Sequence, residues 1–586
     1  MPYQSIISKI QAFKGYAVAA SSLQSLPLCL IREWQQNSCT WQLNSSATHS
    51  IKVKEIVLFD GKLPLSDDCC FYGEGFQMLA QTGGTLSQPK AIGRCPDISH
   101  YRLPSESGFH SSYNYILLSP QPNHHILLGF TACFRFSGTF RISANKRLKV
   151  ILDCENLPLA GFSHWQGEPL TILEGPDSEQ LLQQYGAMLK QNHTPRGITR
   201  FADKSPSGWC SWYHYYADVR EKDISENLQQ MAQQFPSLDY LLIDDGYQAY
   251  MGDWLTPSSR FGSGLAGVVG QIHQAGVKPA LWLAPFIAEG NSAVFKQHPN
   301  WFVKDQNGEP LAAEKVTYGG WRCTPWYVLD GTHPQVQQHL KTLFAYLHLE
   351  LGITLFKLDA NFWGAIHGGY FFDPTATRIE AYRRGMQAIC DGAGDSFLLG
   401  CNAPLWPSLG LIDGMRVGDD VERNGERFYQ IAQEILHRSW QNRVLWINDP
   451  DCITLENREQ QVATTEQYRL HLLTILVCNG LLISGDRLAG LSEDNKHKLA
   501  KLLGSEFRGL AVQFKNRSFT HGTICKGSAT LHLLFNWQNE TAIFNLPVEE
   551  GEQAVGFFGD ELLGAPFNNE VSVNIAARSA AAVIIK

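Results

Sequence analysis

The stretch "ITLFKLDAN" (353–361) decides how the middle of this chain folds. Leu355, Phe356 and Leu358 give it the apolar run of a buried strand. Lys357 and Asp359 nevertheless stand inside that run. Two residues apart on a strand, their side chains point to the same face. Taking such a pair out of water costs several kcal/mol unless the charges are well matched. A structural ion pair and a functional pair are both open on this stretch alone, and the surrounding chain has to choose between them.

Working outward, seven more short apolar stretches have the same form. They are "GWCSWYHYY" (208–216), "YLLIDDGY" (240–247), "KPALWLAPF" (278–286), "FLLGCNAP" (397–404), "GMRVGDDV" (414–421), "VLWINDPD" (444–451) and "LLISGD" (481–486). Between most of them lie amphipathic segments such as "DISENLQQMAQQF" (223–235), "EAYRRGMQAICDG" (380–392) and "ERFYQIAQEILHRSW" (426–440). Eight βα units in series predict a (β/α)8 barrel. A doubly wound sheet is the alternative, but no dinucleotide fingerprint supports it. "GSGLAG" (262–267) has GxGxxG spacing, yet it follows "DWLTPSSRF" rather than a strand, so no cofactor site is expected there.

The flanks read differently. "HHILLGFTACFRFSGTFRISANKRLKVILDC" (124–154) alternates as strands do, with Gly and Asn breaks. "ATLHLLFNWQNETAIFNLPV" (529–548) and "EVSVNIAARSAAAVIIK" (570–586) alternate again. A chain of 586 residues exceeds what one core organises. The expected division is an N-terminal β-sandwich over 1–195, a barrel over 196–505 and a C-terminal antiparallel β-domain over 506–586, with the polar run 191–208 as a linker.

Composition narrows the function. Charged residues make up 18% and hydrophobic residues 44%, a globular balance, and the formal net charge of −8 argues against nucleic acid or an anionic membrane as partner. The N-terminal stretch lacks a basic start followed by an apolar core, so no signal peptide is expected. No apolar run reaches membrane-spanning length. The 14 cysteines show no CxxC set and no compact disulfide spacing, which points to free thiols in a reducing cytoplasm.

In a barrel of this kind the active site lies at the C-terminal strand ends. The polar residues fall there: Asp244 and Asp245 after strand two, Lys357 and Asp359 on strand four, Arg416 and Asp420 after strand six, Asp449 and Asp451 after strand seven. Asp253 and Trp254 sit on the loop after strand two as candidates for the rim. Two carboxylates without a metal signature suggest glycoside hydrolysis, one as nucleophile and one as acid/base. Lys357 beside Asp359 would keep a nucleophile ionised. Asp419 beside Asp420 would help an acid hold its proton, and Arg416 would act the other way.

At these residues the sequence resembles glycoside hydrolase family 36, the microbial α-galactosidases and raffinose synthases, over roughly 200–505. "GWCSWYHYY", "LLIDDGYQ", "LWLAPF", "FKLDAN", "GCNAP", "MRVGDDV" and "NDPDC" carry the resemblance together. It implies Asp359 as nucleophile and Asp420, four positions after Arg416, as acid/base. It also implies Asp244 and Asp245 as ligands of the galactose 4- and 6-hydroxyls, Lys357 and Arg416 on ring hydroxyls, Trp212 and Trp282 as aromatic walls, and Cys401 against the 2-position. Where many members carry a Gly-rich segment after the Cys, this chain has "CNAPLWPSLG" (401–410), which keeps N-acetylgalactosamine open beside galactose.

The reading is a retaining exo-α-galactosidase without cofactor or metal, acting on α-galactoside oligosaccharides, with oligomers possible. The alternatives are an α-N-acetylgalactosaminidase or galactosyl transferase of the same family and, from other classes, a metal-dependent barrel hydrolase or a non-catalytic sugar-binding protein.

Overall fold

The computed structural model describes residues 4–20, 27–198, 200–201, 204–559, 561 and 563–586. The expected linker lies outside them at 199 and 202–203, and the N-terminal stretch at 1–3 and 21–26.

Eight parallel strands form the central sheet: β1 (Ser207–Cys210), β2 (Tyr240–Ile243), β3 (Lys278–Leu283), β4 (Leu355–Leu358), β5 (Phe397–Gly400), β6 (Gly414–Arg416), β7 (Ile447–Asp449) and β8 (Leu482–Ser484). They neighbour one another in chain order, with β8 beside β1. Single bonds bring β7 against β8 and nearly close the ring: Leu481 N–H donates to the Asn448 carbonyl at 2.9 Å and Ile453 N–H to the Ile483 carbonyl at 2.7 Å.

Side-chain parity fixes what the barrel encloses. Leu242, Ala280, Leu355, Leu399, Ile447 and Ile483 share one buried cluster with Cys210 and Phe397. Phe356 and Leu358, of opposite parity on β4, belong to the cluster that includes the helix residues Leu340, Phe344 and Ile389. Stepping by two from Leu355 therefore leads up the interior to Lys357 and then Asp359. The interior is apolar at its base and charged at its mouth.

Among the described residues, seven α-helices of 11 or more residues accompany the strands: α1 (Glu221–Gln234), α2 (Gly264–Gln274), α3 (Pro334–Ala345), α4 (Arg378–Ala393), α5 (Gly425–His437), α6 (Thr465–Cys478) and α7 (Glu493–Leu503). Eight βα units were expected, but β5 runs to β6 through a single 3-10 turn at Trp406–Ser408. Pro404 and Pro407 disfavour a helix in that short connection. The N-terminal domain packs there instead: the Tyr115 ring meets Trp406 edge-on at 5.7 Å and Trp440 at 5.8 Å.

That domain pairs a five-stranded and a nine-stranded antiparallel sheet. On the strand Tyr115–Gln121, Ile116 and Leu118 face the sandwich core while Tyr115 and Leu117 join the barrel cluster. Both faces are buried, so the strand reads as a continuous apolar run rather than an alternation. The C-terminal strand Ala529–Asn536 divides likewise, with Leu531, Leu533 and Phe535 toward the barrel and Leu534 toward its own small core. Helix α6 lies between barrel and C-terminal sheet, which is why Leu470–Cys478 is buried on every side. Among the described residues no helix is long and apolar enough to cross a membrane.

One buried ion pair ties sandwich to barrel. Arg438, just past α5, donates to Glu74 through Nη2 at 2.8 Å and Nε at 3.0 Å, and to the carbonyls of Val417 at 3.0 Å and Ala80 at 3.1 Å. Both side chains are wholly buried. Breaking such a pair strands the remaining charge at a cost of about 3–5 kcal/mol. Arg438→Met is expected to lower the urea midpoint sharply, and adding Glu74→Gln should recover part of the loss; equal midpoints for wild type and the single variant would show that the pair does not hold the domains together.

Candidate active site

The charged mouth of the barrel is a single cavity of about 560 Å³, within the range usual for small-molecule sites. Asp244, Asp245, Lys357, Asp359, Trp212, Trp282, Cys401 and Asp420 all line it. Arg416 stands behind Asp420, fully buried. The strand ends thus bring together the nine residues to which the family resemblance gives a role, eight lining the cavity and Arg416 behind them.

Each is held from several sides. Asp244 accepts from Lys357 Nζ at 2.9 Å, and its Oδ1 accepts the Asp245 N–H at 2.8 Å. Gly246, at φ +116°, turns the chain immediately after this pair, and a Cβ there would lie 2.5 Å from the Ala217 carbonyl oxygen. The turn lets consecutive residues both face the cavity. Asp359 accepts the Ala360 N–H at 2.7 Å and the Trp282 indole N–H at 3.1 Å. Arg416 Nη2 bridges two carboxylates, Asp420 at 2.8 Å and Asp451 at 2.6 Å. Asp451 also accepts from the Tyr213 hydroxyl and the Val421 N–H. Asp449 accepts the Asp451 N–H at 3.0 Å and so holds the turn after β7.

The adjacent aspartates of "RVGDDV" have different surroundings. Asp419 is buried and ion-paired to Arg94 at 2.7 Å and Arg427 at 2.8 Å, and its Oδ1 accepts the Asp420 N–H at 2.7 Å. Asp420 exposes 57% of its side chain at the cavity mouth.

The charge balance departs from the expectation drawn from sequence. Lys357 makes its direct bond to Asp244, not Asp359. Burial pushes the Asp359 carboxyl up, and Lys357, the Ala360 N–H and Trp282 only partly offset it. Burial also acts to raise Asp420, but Arg416 and then Lys357 outweigh it and hold that carboxyl below the usual range. Of the two opposing neighbours foreseen for Asp420, Arg416 prevails, because Asp419 is already engaged by two guanidinium groups. Burial drives Asp451 up to about 7 against Arg416.

Several lining residues had no signal in the strand pattern. Tyr318 and Trp321 come from the long connection between β3 and β4. From the same connection Arg322 grips Asp245 as a fork, with Nε on Oδ2 at 2.6 Å and Nη2 on Oδ1. Met78, Leu79, Arg94, Cys95 and His100 reach the cavity from the N-terminal sandwich. Asp253 and Trp254 do not line it: Asp253 accepts the backbone N–H groups of Ala293 and Val294, and Trp254 packs edge-on against Trp282 at 5.8 Å. Among the described residues no three His, Cys, Asp or Glu side chains gather as a metal ion would require.

Residues 179–377 match the family model described as Melibiase. The likeness to glycoside hydrolase family 36 read from the motifs is borne out. Alpha-galactosidase 2 of Pediococcus pentosaceus is 27% identical over 193 residues, 32% of this chain and 25% of that protein. The matched part spans about a fifth to a quarter of the length of such curated relatives. In fold the likeness is wider. An α-galactosidase of Thermus thermophilus, solved with p-nitrophenyl α-D-galactopyranoside, superposes with a TM-score of 0.64 at 23% identity, over 85% of this chain and 98% of that one. A family 36 α-galactosidase of Geobacillus stearothermophilus, solved with 1-deoxygalactonojirimycin, gives 0.66 at 14% identity, over 98% and 86%.

The buried floor of the cavity can be checked chemically. Cys401 lines it and Cys210 lies behind it, its thiol on Asp244 Oδ2 at 3.3 Å, with burial pushing the Cys401 thiol well above the usual range and the Cys210 thiol upward, whereas Cys29, Cys70, Cys323 and Cys525 are exposed. Since the thiolate is the reactive form, a brief maleimide pulse on native protein at pH 7, read by peptide mass spectrometry, is expected to label the four exposed thiols and spare Cys401 and Cys210. Labelling of Cys401 at the rate of Cys323 would mean that the floor is open.

Proposed function

We propose that the chain is a retaining exo-α-galactosidase with Asp359 as nucleophile and Asp420 as acid/base. The observation that carries this reading is the placement of two carboxyl groups in one cavity, one at its floor and one at its mouth. The floor also presents Lys357, Asp244 and the Arg322-held Asp245, a set of charged donors and acceptors suited to sugar hydroxyls. A cavity closed at the base by a strand-end ion pair admits a terminal sugar unit and leaves the rest of the substrate outside, as an exo-acting enzyme requires. The names of the relatives support α-galactosides as the substrate class, and the 14 free thiols support a cytoplasmic setting. The domain limits remain those proposed from sequence, near 195 and 505.

One observation favours exchanging the two roles. Asp359 is the carboxyl pushed up and Asp420 the one held down, the reverse of a nucleophile and its acid. Position argues for the first assignment. Asp359 lies on the floor beside the groups that would hold the ring, and Asp420 lies at the mouth, where a leaving group departs. A bound sugar also displaces the water that screens Asp420 and removes solvent support for its charge.

Leaving groups separate the two assignments. General acid catalysis is worth about 10²–10⁴ in rate, and a substrate with an acidic leaving group scarcely needs it. Asp420→Ala is expected to lose activity on raffinose by about that factor while sparing p-nitrophenyl α-galactoside, and Asp359→Ala to lose both. The opposite pattern means that the roles are exchanged, and unchanged turnover by either variant removes the proposed mechanism.

The Trp282 indole adds a pH test. Its N–H stabilises the ionised Asp359, so Trp282→Phe should raise the pKa of that carboxyl and move the acid limb of kcat/KM to higher pH. A limb that stays in place would show that the bond does not govern Asp359.

A further inference from the structure

The N-terminal sandwich contributes one cation to the mouth of the barrel, and its geometry gives it a task that the motifs do not assign. Arg94 follows the sandwich strand Pro89–Ala91 and crosses onto the loop after β6. Its Nε meets Asp419 Oδ2 at 2.7 Å and its Nη1 meets Glu422 at 3.5 Å. The same Asp419 carboxylate accepts the Asp420 N–H at 2.7 Å. The side chain is half exposed, and it lines the cavity that Asp359 and Asp420 share.

We infer that Arg94 is a positioning residue through which the sandwich fixes the place and the charge of Asp420. The inference rests on the acid/base reading of Asp420 given above. Two links carry it. The first is mechanical: guanidinium to Asp419, Asp419 to the backbone of Asp420. Arg427 grips Asp419 from the barrel side at 2.8 Å and also donates to the Asp420 carbonyl at 3.2 Å, so Asp419 is held between two domains and carries the acid/base with it. The second link is electrostatic. Arg94 adds a positive charge that favours the ionised carboxylate of Asp420, behind Arg416 and Lys357 in size.

The surroundings of Asp420 show why one more cation matters. Facing it or packed around it are Arg416 from β6, Lys357 from β4 and Asp359 just past it, Tyr213 after β1, Cys401 after β5, Asp451 after β7, and Asp419 beside it in the chain. Glu422 and Arg427 lie one step further out, joined to Arg94 directly and through Asp419. Asp451 is already matched by Arg416 and the Tyr213 hydroxyl. Arg94 is the charge in this group that comes from outside the barrel, and it stands on the open side of the cavity, where the part of the substrate beyond the cleaved bond would pass. An acid/base must give its proton and take it back. A cation at the mouth favours the second half of that cycle, when Asp420 must act as the base. Withdrawing the cation favours the first half.

Arg94→Met removes the charge and keeps much of the length, and Arg94→Lys restores the charge without the fork. The pH dependence of kcat on raffinose and on p-nitrophenyl α-galactoside is measured for both variants, for wild type and for Asp420→Ala, with a thermal unfolding midpoint for each. Expected for Arg94→Met is an alkaline limb moved upward by about half a unit to one unit, on raffinose only, and its return toward wild type in Arg94→Lys. A fall in activity that is uniform across pH and equal on both substrates, with the limb in place, would overturn the inference and leave Arg94 as a tie between domains. A lowered midpoint without a moved limb would overturn it equally. If the alkaline limb persists in Asp420→Ala, it does not belong to Asp420, and it is the acid/base reading itself that fails.

Discussion

The Lys357–Asp244 ion pair, 2.9 Å across the mouth of the barrel, is the constraint on which the site depends. An ammonium group on the inward face of a central strand is tolerated only where a carboxylate meets it. Lys357 on β4 thus stands level with Asp244 at the end of β2, two strands away, and Asp359, two residues on, comes at the top of the same inward row. Asp244 in turn holds Asp245 through its backbone N–H, and Arg322 closes on Asp245 from the opposite side. Along this chain of contacts each charge sits where its neighbour leaves a place for it.

The same principle governs the second carboxyl. Arg416 is buried completely because Asp451 and Asp420 share one of its nitrogens. Asp451 is enclosed and multiply bonded, while Asp420 opens to the cavity. One guanidinium thus holds both an enclosed carboxylate and one that stays open to the cavity. Asp419 shows the alternative outcome. It differs from Asp420 by one position, yet two arginines from two domains bind it, and it serves as support.

Much of this was legible in the sequence because the signal was periodic. Short apolar runs in series gave the eight strands, the Asp, Lys and Arg residues at the ends of some of them gave the mouth, and the inward parity of Leu355, Lys357 and Asp359 is the period of two seen in "LFKLD". Arg322, Tyr318 and Trp321 escaped because their connection has no periodicity and its path is set by packing. Arg94 and His100 escaped because they belong to a different domain, and no spacing rule links a sandwich loop to a barrel mouth. The balance of charge is not legible in the sequence for a related reason. The sequence shows that Lys357 is near Asp359 and Arg416 near Asp420, but not that Asp244 takes up the first cation or that burial pushes Asp359 upward. The missing helix after β5 was hidden by Trp406, whose partner Tyr115 belongs to the sandwich, far earlier in the chain.

The central claim is that Asp359 attacks the sugar and Asp420 serves the leaving group from the other side. Stereochemistry tests it most directly. Two displacements at the anomeric carbon return its starting configuration, whereas direct attack by water inverts it. Hydrolysis of p-nitrophenyl α-galactoside, followed by proton NMR before mutarotation sets in, is predicted to show α-galactose as the first product. β-Galactose appearing first would contradict the account, since no covalent intermediate on Asp359 could then lie on the path.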